Sequence, residues 1–161
     1  MNKFEEFTSK TGSIMKYVDY KLPSFSTGLF GGATECRIRV VMSAPNNEYF
    51  YRIEKPETSS SVSHTAMIEY SDLVNVNKAL VKLSSEVQAD CAENPDYEEN
   101  KFISDDGFKI GYYISDGKAN WFMNLERYGN GTIFIKNTEN VITNFANAQK
   151  KIEELKAKYG K

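Results

Sequence analysis

The chain has 161 residues, of which 40% are hydrophobic and 26% charged, and its formal net charge is −2. That apolar fraction suffices for an ordinary globular core and excludes an intrinsically disordered chain. The sequence has no run of about 18 uninterrupted apolar residues, and its charged N-terminus lacks the apolar core of a signal peptide. We therefore expect one cytoplasmic domain with no membrane span.

Cysteine and histidine usage argues against a metal site. The chain has two cysteines, Cys36 and Cys91, and one histidine, His64, with no CxxC spacing among them. A structural zinc ion needs about four nitrogen or sulfur ligands, so we expect no metal and no other cofactor. The spacing leaves a disulfide open, but small buried thiols are the expectation for a reducing compartment.

The acidity of the chain is concentrated in one segment. Residues 84–106 hold eight acidic side chains and one basic side chain, whereas the rest of the chain holds 19 basic and 14 acidic ones. We interpret residues 90–100 as a solvated acidic linker. Outside that segment the protein is basic, which is compatible with binding a polyanion.

The first half of the chain has the pattern of four strands and a helix. Residues 1–10 are expected to be irregular, and a first strand at 13–22 ends at Pro23. The glycine-rich loop at 24–34 is either a functional element with exposed apolar residues or a plain connector. Further strands are predicted at 35–43, 48–55 and 66–70, and a helix from Ser71 or Asp72 to about Ala89. The apolar stripe of this helix comprises Leu73, Val76, Leu80, Leu83 and Val87.

The second half has the same pattern. Asp116-Gly117 is the strongest hairpin turn in the sequence. The expected elements are strands at 101–104, 108–114, 120–128 and 132–136, and a helix from Asn137 or Thr138 to about Lys158.

The two halves align as an internal repeat. A single offset of 65 residues places Ile68 on Ile133 and carries the apolar positions of the first helix onto those of the second. Two unrelated amphipathic strand-helix segments would also align in this way, so coincidence stays open. The sequence therefore predicts an α+β fold of two β-β-β-β-α units, at about 13–89 and 101–158, within one domain spanning 1–161. Each antiparallel sheet is expected to carry its own C-terminal helix on one face.

The sheet faces opposite the helices carry the predicted site. Because side chains alternate across a strand, these outer faces hold aromatic rings interleaved with basic and amide side chains. Rings stack on bases at about 1–3 kcal/mol each, and cations neutralise phosphates. The predicted nucleic-acid-binding residues are Arg37, Arg39, Phe50, Arg52, Lys109, Tyr113, Phe122, Asn124, Phe134 and Lys136.

Two other interpretations use the same residues. The two sheets could pack their aromatic faces against each other, or the faces could form a dimer interface. Glu54, Glu69 and Glu126 lie on the predicted outer faces and would repel phosphate.

Two successive units of four strands and a helix, ending in AMIEYSDLVNVNKALVKLSSEV and TIFIKNTENVITNFANAQKKIEEL, resemble the PUR repeat and its relatives in the Whirly superfamily. The resemblance is one of topology, extends from about residue 13 to 155, and includes no residue signature. The PUR core has more glycine and arginine in its hairpins than this chain has. The resemblance implies a sheet-face ligand, single-stranded nucleic acid, and a tendency to form homodimers.

Catalysis has little support in the sequence. His64 lies in a Ser/Thr-rich loop without a nucleophile elbow, and the acidic pairs lack the spacing of a calcium loop. The predicted function is non-enzymatic binding of single-stranded DNA or RNA with little base specificity. The alternative is a protein interaction or assembly module that uses the same aromatic face.

Overall fold

The structure is a computed structural model that describes residues 2–26, 33–43, 46–129 and 131–160. Most of the glycine-rich loop at 24–34 lies outside the described residues, so its predicted role is not addressed. The described strands form two four-stranded antiparallel sheets with the orders β1-β2-β3-β4 and β5-β6-β7-β8. The strands are β1 (Lys16–Leu22), β2 (Glu35–Ser43), β3 (Asn46–Lys55), β4 (His64–Glu69), β5 (Glu98–Ile103), β6 (Lys109–Ser115), β7 (Lys118–Asn124) and β8 (Thr132–Ile135). The helices are α1 (Lys3–Thr8), α2 (Tyr70–Glu93) and α3 (Thr138–Tyr159).

This arrangement confirms the predicted α+β fold of two four-strand units, each followed by a helix. Burial alternates along β2 and β4, as expected for strands with one face on a core. The Asp116-Gly117 turn links β6 to β7, and both residues have positive φ values, 53° and 72°. Two residues with positive φ match the twist of the flanking strands. Asn137 caps α3 as predicted, since its side chain accepts from the backbone N–H of Asn140 at 3.0 Å.

Several predicted boundaries were wrong, including those of the strands predicted at 13–22, 101–104 and 120–128, which are β1, β5 and β7. Residues 1–10 are not irregular, because Asn2 and Glu5 form a capping box that starts α1. Helix α2 begins at Tyr70, earlier than expected. The Glu69 side chain is its N-cap in place of Ser71 or Asp72. The acidic segment at 90–100 is mostly ordered, because α2 continues through Glu93 and β5 begins at Glu98.

The placement of the helices differs from the expectation that each covers its own sheet. Helix α2 contacts strands of both sheets, and α3 lies mainly on β2 and β3 of the first sheet. The Phe145 ring of α3 meets Tyr51 of β3 edge-on, with ring centroids 5.1 Å apart. On α2, Leu73 and Leu80 join the large core, whereas Leu83 packs against Tyr112 of the second sheet. Alternation along a strand selects the face that a helix covers but not which helix covers it.

The larger of two hydrophobic clusters among the described residues joins the two sheets. It contains inner-face residues of both, together with the apolar stripes of α2 and α3. Most repeat pairs are buried alike, including Ile68 with Ile133 and Val76 with Val141, whereas Val87 is half-buried and its counterpart Ile152 is buried. Since the inner faces and both helices share this core, the sheets point their other faces outward.

Gly111 of β6 lies where two strand backbones approach too closely for any side chain. A Cβ at this position would lie 2.2 Å from the carbonyl oxygen of Asn100 and 2.5 Å from the Cα of Lys101. Strand β5 therefore leans toward the outer face of the second sheet at this point. Glycine inside a strand often indicates such a backbone approach.

Gly111→Ala is expected to lower the free energy of unfolding by about 1–3 kcal/mol, because backbone atoms of β5 must move to admit the methyl group. Urea unfolding followed by circular dichroism measures the change. Gly131→Ala is the matched control, since a Cβ there would make only ordinary contacts at 3.5 Å. Equal stability of the two variants would contradict the described approach of β5 to β6.

Candidate functional site

The outer face of the second sheet brings four aromatic rings into one row. Strand register places Phe122 opposite Phe134 on one side and Gly111 on the other. The ring centroids of Tyr113 and Phe122 are 6.4 Å apart. Tyr97 stacks on Tyr113, with ring centroids 6.1 Å apart and ring planes at 25°. We refer to Tyr97, Tyr113, Phe122 and Phe134 as the aromatic row.

The ends of the aromatic row are open to solvent. Tyr97 is 58% exposed and Phe134 is 55% exposed. Tyr113 is half-buried, and Phe122 in the middle is only 8% exposed. An isolated exposed ring is common on a protein surface, but a contiguous row of rings is a typical feature of a binding surface. The predicted residues Tyr113, Phe122 and Phe134 are thus brought together, but the expectation of an open ring was wrong for Phe122, which is buried between its neighbours.

Lysines border the aromatic row. Lys101 lies in the same cross-strand line as Phe122 and Phe134, and its ammonium pairs with the Glu99 carboxylate at 2.7 Å. This pairing is the main cause of a lowered pKa for Glu99, and a hydrogen bond from the Tyr97 hydroxyl adds to it. Lys136 follows β8 and is exposed. The row is therefore bordered by the Lys136 ammonium, which is unpaired among the described residues, and by the ion pair of Lys101 with Glu99.

The next cross-strand line of side chains on this face has one exposed end, Ile103, and three half-buried members. It runs from Ile103 through Lys109 and Asn124 to Thr132. Lys109 donates to the Arg127 carbonyl at 3.2 Å. Asn124 accepts a hydrogen bond from the Thr132 hydroxyl, which leaves its amide NH₂ group for a ligand. Lys109 and Asn124 thus lie beside the row, as the strand pattern predicted.

The aromatic row includes residues that sequence reasoning missed. Tyr97 was assigned to the acidic linker, yet it folds back onto Tyr113 just before β5. Lys101 was predicted as the first residue of a strand but was not among the predicted binding residues. A tyrosine immediately before a strand with alternating side chains was the available sign, since Tyr97, Glu99 and Lys101 share one parity.

The outer face of the first sheet has its arginines committed to ion pairs. Arg39 makes a bidentate pair with Asp19 at 2.9 and 3.0 Å, and Arg37 approaches the same carboxylate at 3.2 Å. Arg52 pairs with Glu54 at 3.3 Å. Since each guanidinium faces a carboxylate, this face carries less uncompensated positive charge than its sequence indicated.

Phe50 lies on the outer side of the first sheet, as predicted, but it is not available for stacking. The Phe4 ring of α1 covers it edge-on, with centroids 5.3 Å apart, and Phe50 is 0% exposed. The expectation of an open ring was wrong because α1 was not foreseen. Among the described residues, the predicted stacking rings that keep clear solvent exposure, Tyr113 and Phe134, both lie on the second sheet.

The three glutamates expected to repel phosphate each have a structural partner. Glu54 pairs with Arg52, and Glu69 accepts from the backbone N–H of Ser71 at 2.8 Å. Glu126 turns away from the aromatic row and accepts from the backbone N–H of Thr65 at 3.1 Å. Its carboxylate also lies 3.0 Å from Nδ1 of His64. The objection that these residues raise against an anionic ligand is therefore weaker than the sequence indicated.

Asp19→Asn is expected to lower stability by about 1 kcal/mol at neutral pH, the upper range for a partly exposed pair. Hydrogen bonds from Arg39 and then Arg37 hold the pKa of Asp19 below its usual range. Because the pKa of Asp19 is lower in the folded than in the unfolded state, its carboxylate stabilises the fold at pH values above the unfolded pKa. This stabilisation is lost as the pH falls through the folded pKa. Thermal melts should therefore separate wild type from Asp19→Asn at pH 7 and converge below about pH 4. The exposed Asp96→Asn control should show no such convergence, and a constant difference for Asp19→Asn would contradict the assignment.

Among the described residues, no group of three or more histidine, cysteine, aspartate or glutamate side chains is placed to hold a metal ion. Cys36 is buried and Cys91 half-buried, and both are free thiols. None of the described helices is long and apolar enough to cross a membrane. The chain matches no protein-family model, no curated protein and no solved structure.

Proposed function

We propose that the protein binds single-stranded DNA or RNA without catalysis, on the outer face of the second sheet. The observation that carries this proposal is the aromatic row, which crosses the sheet with solvent-open rings at both ends. Stacking on rings tolerates any base, so the expected base specificity is low. Lys101, Lys109 and Lys136 supply the neighbouring positive charge for phosphates.

The charge arrangement favours a strand over a duplex. Three lysines beside the row are too few to follow both backbones of a duplex, and the bases of a duplex are not free to stack on rings. Exposed ion pairs such as Lys101 with Glu99 contribute little stability, so a phosphate displaces the carboxylate at small cost. The proposed ligand is therefore an extended single strand that lies along the row.

Fluorescence anisotropy of a labelled mixed-sequence oligonucleotide tests the proposal. With about three phosphates neutralised, single-strand affinity should fall about 10- to 20-fold between about 50 and 200 mM salt, and duplex should bind more weakly. Lys136→Gln should reduce the slope of log affinity against log salt by about 0.7, whereas Lys78→Gln on the exposed side of α2 should not. Absence of binding at the lower salt concentration would overturn the proposal.

A second candidate function is a protein interface, and a homodimer is its simplest form. The observation in its favour is that Ile103, 49% exposed, adds an aliphatic side chain to the same face as Phe134. Sedimentation velocity distinguishes the two functions. A dimer that dissociates in Phe134→Ala would support the interface, and a monomer at all concentrations would exclude the homodimer.

A further inference from the structure

Helix α1 lies on the outer face of the first sheet, over its one predicted stacking ring. Phe50 stands in the cross-strand line Asp19, Arg39, Phe50 and Glu69, on the side that faces away from the core helices. The ring of Phe4 meets the ring of Phe50 at 85°, so α1 contributes to its burial. The first sheet thus holds a stacking ring that is present but covered.

The attachment of α1 is weak. It has six residues, none of which is fully buried, and a helix this short is not stable on its own. Apart from Phe4, its anchor is Lys3, whose ammonium lies 2.6 Å from the Asp72 carboxylate and 3.6 Å from that of Asp105. The backbone N–H of Lys3 also donates to the Asp106 carboxylate at 3.2 Å. A cleft of about 450 Å³ separates α1 from the sheet, and it is lined by Phe7, Glu48 and Phe50 among others. Such incomplete packing lets α1 lift without disturbing the core.

The face under α1 also sets an aromatic ring beside basic side chains. Arg39 lies directly opposite Phe50, and Arg37 and Arg52 form the adjacent line. Their ion pairs are partly exposed, so phosphates can compete for the guanidinium groups. Glu69 lies on the other side of Phe50 and is turned toward the start of α2 by its hydrogen bond to Ser71. Phosphates would therefore approach from the arginine side.

We propose that α1 is a removable cover, and that the outer face of the first sheet is a second surface for single-stranded nucleic acid, open only when α1 lifts. This inference rests on the proposed function of the second sheet. It adds regulation to that function. A nucleic-acid strand long enough to reach both faces displaces α1, while a short one occupies the aromatic row alone. The affinity of a covered surface is reduced in proportion to the fraction of molecules in which it is open.

The test loosens the cover in the full-length chain with Phe4→Ala/Phe7→Ala. Affinity for a single strand of about 30 nucleotides, long enough for two faces of about 4–16 nucleotides each, should rise about 5-fold or more. Affinity for a strand of about 8 nucleotides should change less than about 2-fold, because one face suffices for it. Adding Phe50→Ala should return the long-strand affinity to the wild-type value. Tyr128→Ala removes an 82% exposed ring that covers nothing and should leave both affinities unchanged.

Hydrogen exchange of wild type gives a readout that needs no variant. The amides of α1 should exchange faster when the long strand is bound and unchanged when the short strand is bound. Unchanged or slower exchange with the long strand, together with wild-type affinity of Phe4→Ala/Phe7→Ala, would overturn the cover. If binding then still depends on Phe134, the function on the second sheet stands and only the cover fails. If no form of the protein binds either strand, both proposals fail.

Discussion

Replacing Tyr113 and Phe134 together by alanine is expected to weaken single-strand binding by at least about 30-fold, since each stacking ring contributes about 1–3 kcal/mol. The two rings lie on either side of Phe122, and both are accessible to a base. Neither is part of the hydrophobic core, so the variant should keep the wild-type fold. Anisotropy titration at constant salt measures the loss, and circular dichroism checks the fold.

The control for this pair is Tyr128→Ala. Tyr128 is 82% exposed but lies outside the aromatic row, so its removal should change affinity less than about 2-fold. Equal losses in Tyr113→Ala/Phe134→Ala and Tyr128→Ala would indicate binding spread over the surface. A folded Tyr113→Ala/Phe134→Ala variant with wild-type affinity would remove the row from the site.

Phe145→Ala is expected to cause the largest loss of stability, about 3–5 kcal/mol, which is the typical cost of truncating a buried phenylalanine. Phe145 is 0% exposed and joins the two units through its ring. On one side it meets Tyr51 of the first sheet, and on the other it stacks with Phe108, which precedes β6, at 6.0 Å. Truncating Phe145 therefore leaves a cavity at the point where α3 passes from the second unit onto the first sheet.

Urea unfolding measures this loss, with Phe134→Ala as the matched control. Phe134 is the same residue type but 55% exposed, so its truncation should cost less than about 0.5 kcal/mol. A small loss for Phe145→Ala would contradict the crossed placement of α3.

Coincident unfolding transitions by near- and far-ultraviolet circular dichroism are also expected for wild type, because the two sheets share one core.

Local patterns predicted the elements well. Alternation identified the four-strand units, three- and four-residue spacing identified α2 and α3, and Asp116-Gly117 set the β6-β7 hairpin. These features depend on neighbouring residues, which a sequence shows directly. The placement of α3 on the first sheet depends on which of two similar apolar faces it meets, and neither periodicity nor composition distinguishes them.

The site was partly predictable for the same reason. Tyr113, Phe122 and Phe134 follow from strand alternation, and strand register then brings them together. Phe50 obeys the same alternation, but its exposure depends on α1, a tertiary contact made from 46 residues away along the chain. Phe4 and Phe7, three residues apart in a short charged segment, were the available sign of a helix with an apolar side. The arginine pairs with Asp19 required the β1-β2 register, which the sequence does not specify.

The most direct test of the central claim is to locate the bound strand by photo-cross-linking. A short single strand carrying 4-thiothymidine is irradiated on wild-type protein, and the cross-linked peptides are identified by mass spectrometry. Binding on the second sheet predicts cross-links in β6 to β8 and at Tyr97, and their loss in Tyr113→Ala/Phe134→Ala. Cross-links confined to the exposed sides of α2 and α3 would contradict it.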